Sequence, residues 1–69
     1  MQNKPILNIR ALRIQRGLKQ YQLAKLIGVR QGRISDYESG KKSPSVERLP
    51  VIAAALGVEI GDLFVPNEN

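Results

Sequence analysis

The sequence predicts an all-α fold: one compact bundle of five short helices, spanning residues 1–69 with an ordered core at about 5–65. Three observations lead to this prediction. Glycines divide the chain into short segments, these segments are rich in helix-favouring residues, and none shows the β-branched and aromatic alternation typical of strands. A length of 69 residues is that of one small domain.

The helix ends are predicted from these glycines, because glycine readily adopts the left-handed conformation that terminates a helix. The predicted helices lie near residues 5–16, 20–27, 31–39, 47–56 and 60–64. Pro50 would disrupt the interior of a helix. We therefore expect the fourth helix to begin near Glu47, which places Pro50 in the first turn, where backbone amides have no helical partner.

Several classes of site are excluded by composition. The chain has neither cysteine nor histidine, which excludes disulfides, Cys/His zinc sites, thiol nucleophiles and histidine acid–base catalysis. Its acidic residues form no cluster with metal-ligand spacing. We therefore expect no enzyme activity, no cofactor, no metal and no small-molecule ligand. The longest apolar run, 51–58, is far shorter than the roughly 20 residues of a membrane span, so we expect a cytoplasmic protein without a membrane partner.

The positive charge is concentrated in one part of the chain. Residues 1–42 carry ten basic and two acidic side chains, whereas residues 43–69 carry one basic and four acidic ones. A basic surface of this kind suits nucleic acid or an anionic membrane surface. A solvated surface of uneven charge is the alternative interpretation.

Two opposite charges fall on apolar helix faces. The inward stripe of the first helix consists of Ile6, Ile9 and Leu12. Arg13 lies on that stripe, and Glu38 lies on the same side of the third helix as Ile34 and Tyr37. Since buried charges persist only when they are paired, we predict a salt bridge between Arg13 and Glu38. The alternative is that both charges lie at the edges of their stripes and stay solvated.

Residues 18–40, LKQYQLAKLIGVRQGRISDYESG, contain two short helical patterns joined by a three-residue turn that begins with Gly28. The small side chain of Ala24 allows the two helices to approach closely, and Val29 is placed to fill the corner between them. This pattern is typical of a helix–turn–helix, whose second helix enters the DNA major groove.

These residues resemble the phage-repressor/Cro-like helix–turn–helix proteins, often called the Xre family. The resemblance covers roughly Ile9 to Phe64. Outside residues 18–40 it includes the segments LRIQRGL and AALGVEIGDLF, and at the end of the motif it includes the loop SGKKSPS. It implies a five-helix bundle of the lambda-repressor-like type and a bacterial or phage-encoded, nucleoid-associated regulator, most simply a repressor, that binds double-stranded DNA. Members commonly carry an Arg–Glu pair at the places of Arg13 and Glu38.

The outward side of the third helix supplies the candidates for base contacts, Gln31, Gly32, Arg33, Ser35 and Asp36. Gln31 can bond adenine, Arg33 can bond guanine or a phosphate, and Asp36 can accept from the cytosine amino group. The resemblance implies base-facing positions for Gln31, Gly32 and Asp36. The alternative for each is an ordinary exposed residue.

DNA backbone contacts need donors and positive charge. Gln20 opens the second helix, and the resemblance implies that it bonds the backbone. The remaining candidates are Lys19, Arg30, Lys41, Lys42 and Ser43. Lys41 and Lys42 have a simpler alternative role in solubility. Lys19 and Arg30 occupy positions where Ser or Thr usually caps a helix, which weakens both helix starts.

The resemblance also implies a homodimer on a palindromic operator with half-sites about 34 Å apart. The candidate interface is the apolar C-terminal part, Val58, Ile60, Leu63, Phe64 and Val65. Equally, these side chains could simply close the core of the monomer. A second functional hypothesis is a protein-interaction module, either an antitoxin or an adaptor, that uses the same fold against a protein.

Overall fold

The computed structural model describes residues 6–65. Within this range the chain forms four α-helices, two 3₁₀ helices and one pair of two-residue strands. Their order is β1 (Ile6–Leu7), α1 (Ile9–Gln15), α2 (Gln20–Ile27), α3 (Gln31–Ser39), a 3₁₀ helix (Val46–Arg48), α4 (Leu49–Leu56), a second 3₁₀ helix (Ile60–Leu63) and β2 (Phe64–Val65). The bounds of α2 and α3 agree with the sequence prediction.

The prediction of five α-helices is wrong at both ends of the domain. The segment predicted as the fifth helix is a single 3₁₀ turn that continues into β2, and β2 pairs antiparallel with β1. Such a short segment, interrupted by Gly61, cannot maintain a helix without tertiary support.

The first helix begins at Ile9 because residues 6–7 pair with β2, and the amide of Asn8 donates to the carbonyl of Leu63 at 2.6 Å. The predicted start at residue 5 lies outside the described residues.

Glycine ends α2 as the sequence predicted. Gly28 has a left-handed backbone with φ +75°, and the next amide, that of Val29, donates to the carbonyl of Ala24 at 3.0 Å. This geometry terminates α2 and turns the chain directly into α3. The turn therefore fixes the angle at which the second helix of the motif leaves the first.

The entry to α4 accommodates Pro50. A 3₁₀ turn, Val46–Arg48, precedes α4, and the proline lies in the first turn of the α-helix. At that position no helical hydrogen bond requires its missing N–H. The expectation for Pro50 is therefore confirmed, although the α-helix begins at Leu49 rather than near Glu47.

The hydrophobic core lies between α2, α3 and α4 and is closed by residues from both ends of the domain. Its fully buried large side chains are Ile9, Leu23, Ile34, Ile52, Leu56 and Leu63. Tyr37 joins them on the inner face of α3, and Ala24 is buried on α2 within the same cluster. The two inward positions that the sequence assigned to α3, Ile34 and Tyr37, are therefore confirmed.

The burial of Leu63 corrects one element of the proposed dimer interface. Leu63 is fully buried in the core and is unavailable to a second subunit. Val58 is half-buried and packs against the core, whereas Ile60 is 42% and Phe64 37% exposed. The side chain of Val65 lies outside the described part of the structure. Two of the five predicted interface residues therefore remain clearly exposed.

Candidate nucleic-acid interface

The outer face of α3 carries the predicted base-contact residues. Gln31, Gly32, Arg33 and Ser35 are exposed, and Asp36 is half-buried. They point outward because Ile34 and Tyr37 anchor the opposite side of α3 in the core. A Cβ at Gly32 would meet no heavy atom within 4 Å, so this part of the face is open. The arrangement presents one polar helix face with donors and acceptors suited to base edges.

The two helices of the motif begin without a Ser or Thr cap. At α2, the backbone amide of Lys19 donates to Oε1 of Gln22 at 2.7 Å. The side chain of a glutamine three residues later therefore provides the acceptor for the amide that precedes the helix. At α3, the amide of Arg33 donates to the carbonyl of Arg30 at 2.9 Å, and Arg30 makes no side-chain cap bond. Helix-start amides that no protein group accepts from favour an anion at the start of a helix.

A hydrogen-bonded network connects the core to the outer face of α3. The guanidinium of Arg13 contacts both carboxylate oxygens of Glu38, with Nε–Oε2 at 2.6 Å and Nη2–Oε1 at 3.1 Å. Nη1 of Arg13 donates to the carbonyl of Leu18 at 2.8 Å. Both charged side chains are at most 10% exposed, so the pair is not the solvated alternative. The pair ties α1 to α3.

Gln20 extends this network toward the predicted DNA face. Its Nε2 donates to Oε1 of Glu38 at 3.0 Å, and its Oε1 accepts from Nε2 of Gln31 at 3.3 Å. One Nε2 hydrogen of Gln20 is therefore already used inside the protein. Only the second hydrogen and the backbone amide remain for the expected contact with the DNA backbone.

The environment of Glu38 shifts its acidity. Burial by itself raises the pKa of Glu38, but hydrogen bonds from Arg13 and Gln20 and the charges of Arg13 and Arg10 outweigh it. The pKa therefore lies below its ordinary value of about 4.5. The carboxylate stays ionised at neutral pH and holds the network together.

We expect the free energy of unfolding to decrease in acid. Because the pKa of Glu38 is lower in the folded than in the unfolded chain, its stabilisation is complete above the unfolded pKa near 4.5 and is lost as the pH falls through the folded pKa. Urea unfolding followed by circular dichroism between roughly pH 6 and pH 3 measures the effect. Glu38→Gln should reduce the pH dependence, and the exposed control Glu47→Gln should not. An unchanged pH dependence in Glu38→Gln would contradict the assignment.

Five of the six predicted backbone-contact residues lie at the surface, and Gln20 is half-buried. Lys19, Arg30, Lys41, Lys42 and Ser43 are all exposed. The amide of Lys42 donates to the carbonyl of Asp36 at 3.2 Å, which folds the loop after α3 back along the helix. This contact brings Lys42 beside the outer face of α3, although it follows the helix in sequence.

Sequence reasoning missed one basic residue near this face. Arg48 lines a cleft of about 410 Å³ together with Val29, Arg30, Gly32, Arg33, Asp36 and Lys42. It belongs to the acidic part of the sequence, and no local pattern predicts that it lies beside α3. The only signal in the sequence is that it is the single base after residue 42.

The part of the chain that the structure describes has no helix long and apolar enough to cross a membrane. Within the same residues, no three of the acidic side chains lie together in a group that could hold a metal ion.

A family model and a phage repressor match most of this chain. The helix-turn-helix family model matches residues 9–63. The chain is 38% identical over 61 residues to the cryptic phage CTXphi transcriptional repressor RstR of Vibrio cholerae, and the match covers 88% of this chain and 55% of RstR. The chain thus spans about half the length of that relative.

Two solved structures have a similar fold. The P22 c2 repressor protein in complex with synthetic operator 9T matches with a TM-score of 0.75 and 33% identity, over 80% of this chain and 83% of that chain. The restriction-modification controller protein C.AhdI from Aeromonas hydrophila matches with a TM-score of 0.77 and 34% identity, over 81% of each chain. Since the family model also covers most of the sequence, this chain belongs to the helix–turn–helix proteins of the phage-repressor/Cro-like (Xre) type.

Proposed function

We propose that this chain is a sequence-specific regulator of transcription, acting as a repressor, that inserts α3 into the major groove of double-stranded DNA. The observation that carries the proposal is the orientation of α3. Its apolar side, Ile34 and Tyr37, is buried in the core, while Gln31, Gly32 and Ser35 are exposed on the opposite side. A helix held in this way has one polar face free for the edges of bases.

Each residue on the outer face of α3 has a chemically defined role in this proposal. Gln31 bonds adenine through its amide, and its contact with Gln20 limits the rotamers it can adopt before DNA binds. Asp36 accepts from the amino group of cytosine, and Ser35 can bond either kind of base edge. Gly32 allows close approach of the helix backbone. Arg33 bonds either guanine or a phosphate.

The flanking cations supply affinity without sequence preference. Lys19, Arg30, Lys41 and Lys42 are exposed around α3 and fit contacts to phosphate oxygens, with Gln20 and Ser43 as neutral donors. Each phosphate that a basic residue neutralises releases counterions from the DNA. The affinity should therefore depend steeply on salt concentration.

We further propose that two copies bind one operator as a homodimer. Ile60 and Phe64 are exposed apolar residues in the C-terminal part and are the core of the proposed interface, without the buried Leu63. A two-fold dimer requires inverted half-sites about one helical turn, roughly 34 Å, apart. Selection of binding sites from random duplexes tests this: an inverted repeat supports the dimer, and a single half-site contradicts it.

The decisive experiment is a titration of the selected duplex across salt concentrations. If several phosphates are contacted, the logarithm of the association constant falls linearly with the logarithm of the salt concentration, with a slope of about −0.9 for each phosphate. A flat dependence together with no preferred site would contradict DNA binding. That outcome would instead favour an antitoxin or adaptor that uses the fold against a protein.

Two groups of variants separate base readout from backbone binding. We expect Gln31→Ala and Asp36→Ala each to reduce the preference for the selected site over a scrambled duplex by about 1–3 kcal/mol, because each removes a base contact. Lys41→Ala and Lys42→Ala should weaken binding to both duplexes alike and lower the salt slope by about one each. Fluorescence anisotropy at several salt concentrations measures both quantities.

Matched controls for these variants lie on other helices. Gln15→Ala on α1 and Lys25→Ala on α2 remove the same side-chain types from exposed positions away from α3. Both should leave the site preference unchanged. If the lysine variants relaxed base preference and the α3 variants weakened all duplexes alike, the two sets of roles would be wrongly assigned.

A further inference from the structure

The fold brings together basic residues that are far apart in the sequence. Arg48 is the single basic residue of the otherwise acidic segment 43–69. In the structure it lines the cleft beside α3 that Arg30, Arg33 and Lys42 also line. The basic surface beside α3 therefore includes Arg48 in addition to cations from residues 1–42.

The guanidinium of Arg48 is held in position but is not neutralised. Nη1 donates to the carbonyl of Ile27, the last residue of α2, at 3.4 Å, and the side chain is half-buried. Within residues 6–65 the structure contains a single ion pair, Arg13–Glu38, so the Arg48 charge has no carboxylate partner there. A guanidinium has five N–H donors, and four of them remain for another acceptor.

The lining of the cleft favours an anion. Its four cations face one carboxylate, Asp36, which forms no ion pair with any of them within the described residues. Four cations and one carboxylate around a cleft of about 410 Å³ leave a net positive charge there, which attracts a negative group. A phosphate group is suited to such a site because its oxygens accept charge-assisted hydrogen bonds from guanidinium and ammonium groups.

We propose that this cleft binds one backbone phosphate of bound DNA and that Arg48 is a phosphate-binding residue of the interface. The proposal rests on the proposed function, since the cleft opens along the face of α3 that carries Gly32 and Asp36. A strand whose bases contact this face passes its phosphates along the neighbouring cations. Arg48 then connects the DNA backbone to the C-terminal end of α2 through Ile27.

The test combines a neutralised phosphate with a neutralised side chain. A duplex carrying the selected site is prepared with single methylphosphonates, which remove one backbone charge at a time. In the wild type, one position in each half-site should weaken binding about tenfold. Arg48→Gln should weaken binding to the unmodified duplex by a similar factor, and the same methylphosphonate should then cause a smaller loss than in the wild type, because only three of the four cations remain beside that phosphate.

Several controls make the outcome unambiguous. Lys25→Gln removes an exposed charge from α2 and should leave every methylphosphonate effect intact. Arg48→Lys retains a positive charge and should keep most of the salt slope, whereas Arg48→Gln should lower it by about one. Since Arg48 also contacts Ile27, urea unfolding establishes the folded fraction of each variant. If Arg48→Gln does not fold, Arg48→Met replaces it, because methionine keeps the aliphatic part of the side chain and removes the charge. A smaller effect of that methylphosphonate in Arg48→Met than in the wild type supports the proposal, and equal effects overturn it.

The remaining outcomes separate this proposal from the proposed function. In one outcome, the affinity of the wild type for DNA falls steeply with salt, but Arg48→Gln keeps the full affinity and the full salt slope. Arg48 is then not a phosphate-binding residue, and DNA binding by the chain stands. If the wild type binds no duplex, both proposals fail. If inorganic phosphate stabilises the wild type through Arg48 while no methylphosphonate position depends on Arg48, the cleft is a site for free anions and the DNA assignment is overturned.

Discussion

Arg13→Met is expected to lower the free energy of unfolding by about 3–5 kcal/mol, because it leaves the Glu38 carboxylate buried without its partner. The side chain of Glu38 is only 5% exposed, and water cannot replace both contacts with the guanidinium. A chain of this size has a total stability of roughly 3–10 kcal/mol. The variant should therefore lose between about a third and all of this stability, which urea unfolding at 25 °C and a thermal melt can measure.

The control for Arg13→Met is Lys25→Met, the same kind of replacement at an exposed position of α2. It should change the free energy of unfolding by no more than about 0.5 kcal/mol. The double variant Arg13→Met/Glu38→Met should recover much of the lost stability, because apolar side chains can replace a buried ion pair. If Arg13→Met were as stable as Lys25→Met, the pair would contribute nothing to folding.

Ile34→Ala is expected to lower the free energy of unfolding by about 2–5 kcal/mol. Ile34 is fully buried, and together with Tyr37 it anchors α3 in the core. Its truncation leaves a cavity beneath α3 that the surrounding helices fill only partly. Under the proposed function, affinity for the selected duplex should also fall, since part of the binding energy must then be used to order α3.

Ile14→Ala is the matched control, because it removes the same atoms from a side chain that is 54% exposed on α1. We expect a loss of stability below about 1 kcal/mol and an unchanged affinity for DNA. Urea unfolding and anisotropy titrations of the two variants in parallel provide both comparisons. Equal losses in the two variants would mean that α3 is not anchored through Ile34.

The helix–turn–helix itself was largely predictable because its determinants are local. Gly28 permits the left-handed turn that ends α2, and the spacing of Leu23, Ala24 and Ile27 defines one buried face of that helix. Ile34 and Tyr37 define the buried face of α3 in the same way. These features act within three or four residues of one another, so the helix bounds and the outward face followed from the sequence alone.

The ends of the domain were predicted less well because distant partners decide them. Residues 60–64 were predicted to form a helix, yet they form a 3₁₀ turn and a strand residue because β2 pairs with β1 almost sixty residues earlier. Leu63 was a candidate interface residue by its hydrophobicity and is a core residue by its position. Hydrophobicity indicates that a side chain will be buried, but it does not indicate whether its own domain or a second subunit buries it.

The sequence by itself determined that the fold is mainly helical, where the two helices of the motif lie, which family the chain belongs to, and that residues 1–42 carry most of the positive charge. The tertiary structure alone decided the contacts from Glu38 through Gln20 to Gln31, and it alone placed Arg48 beside α3. The physical reason is the range of the interactions. Helix periodicity and turn conformation depend on neighbours along the chain, whereas hydrogen-bond partners and clustered charges depend on how separate helices pack.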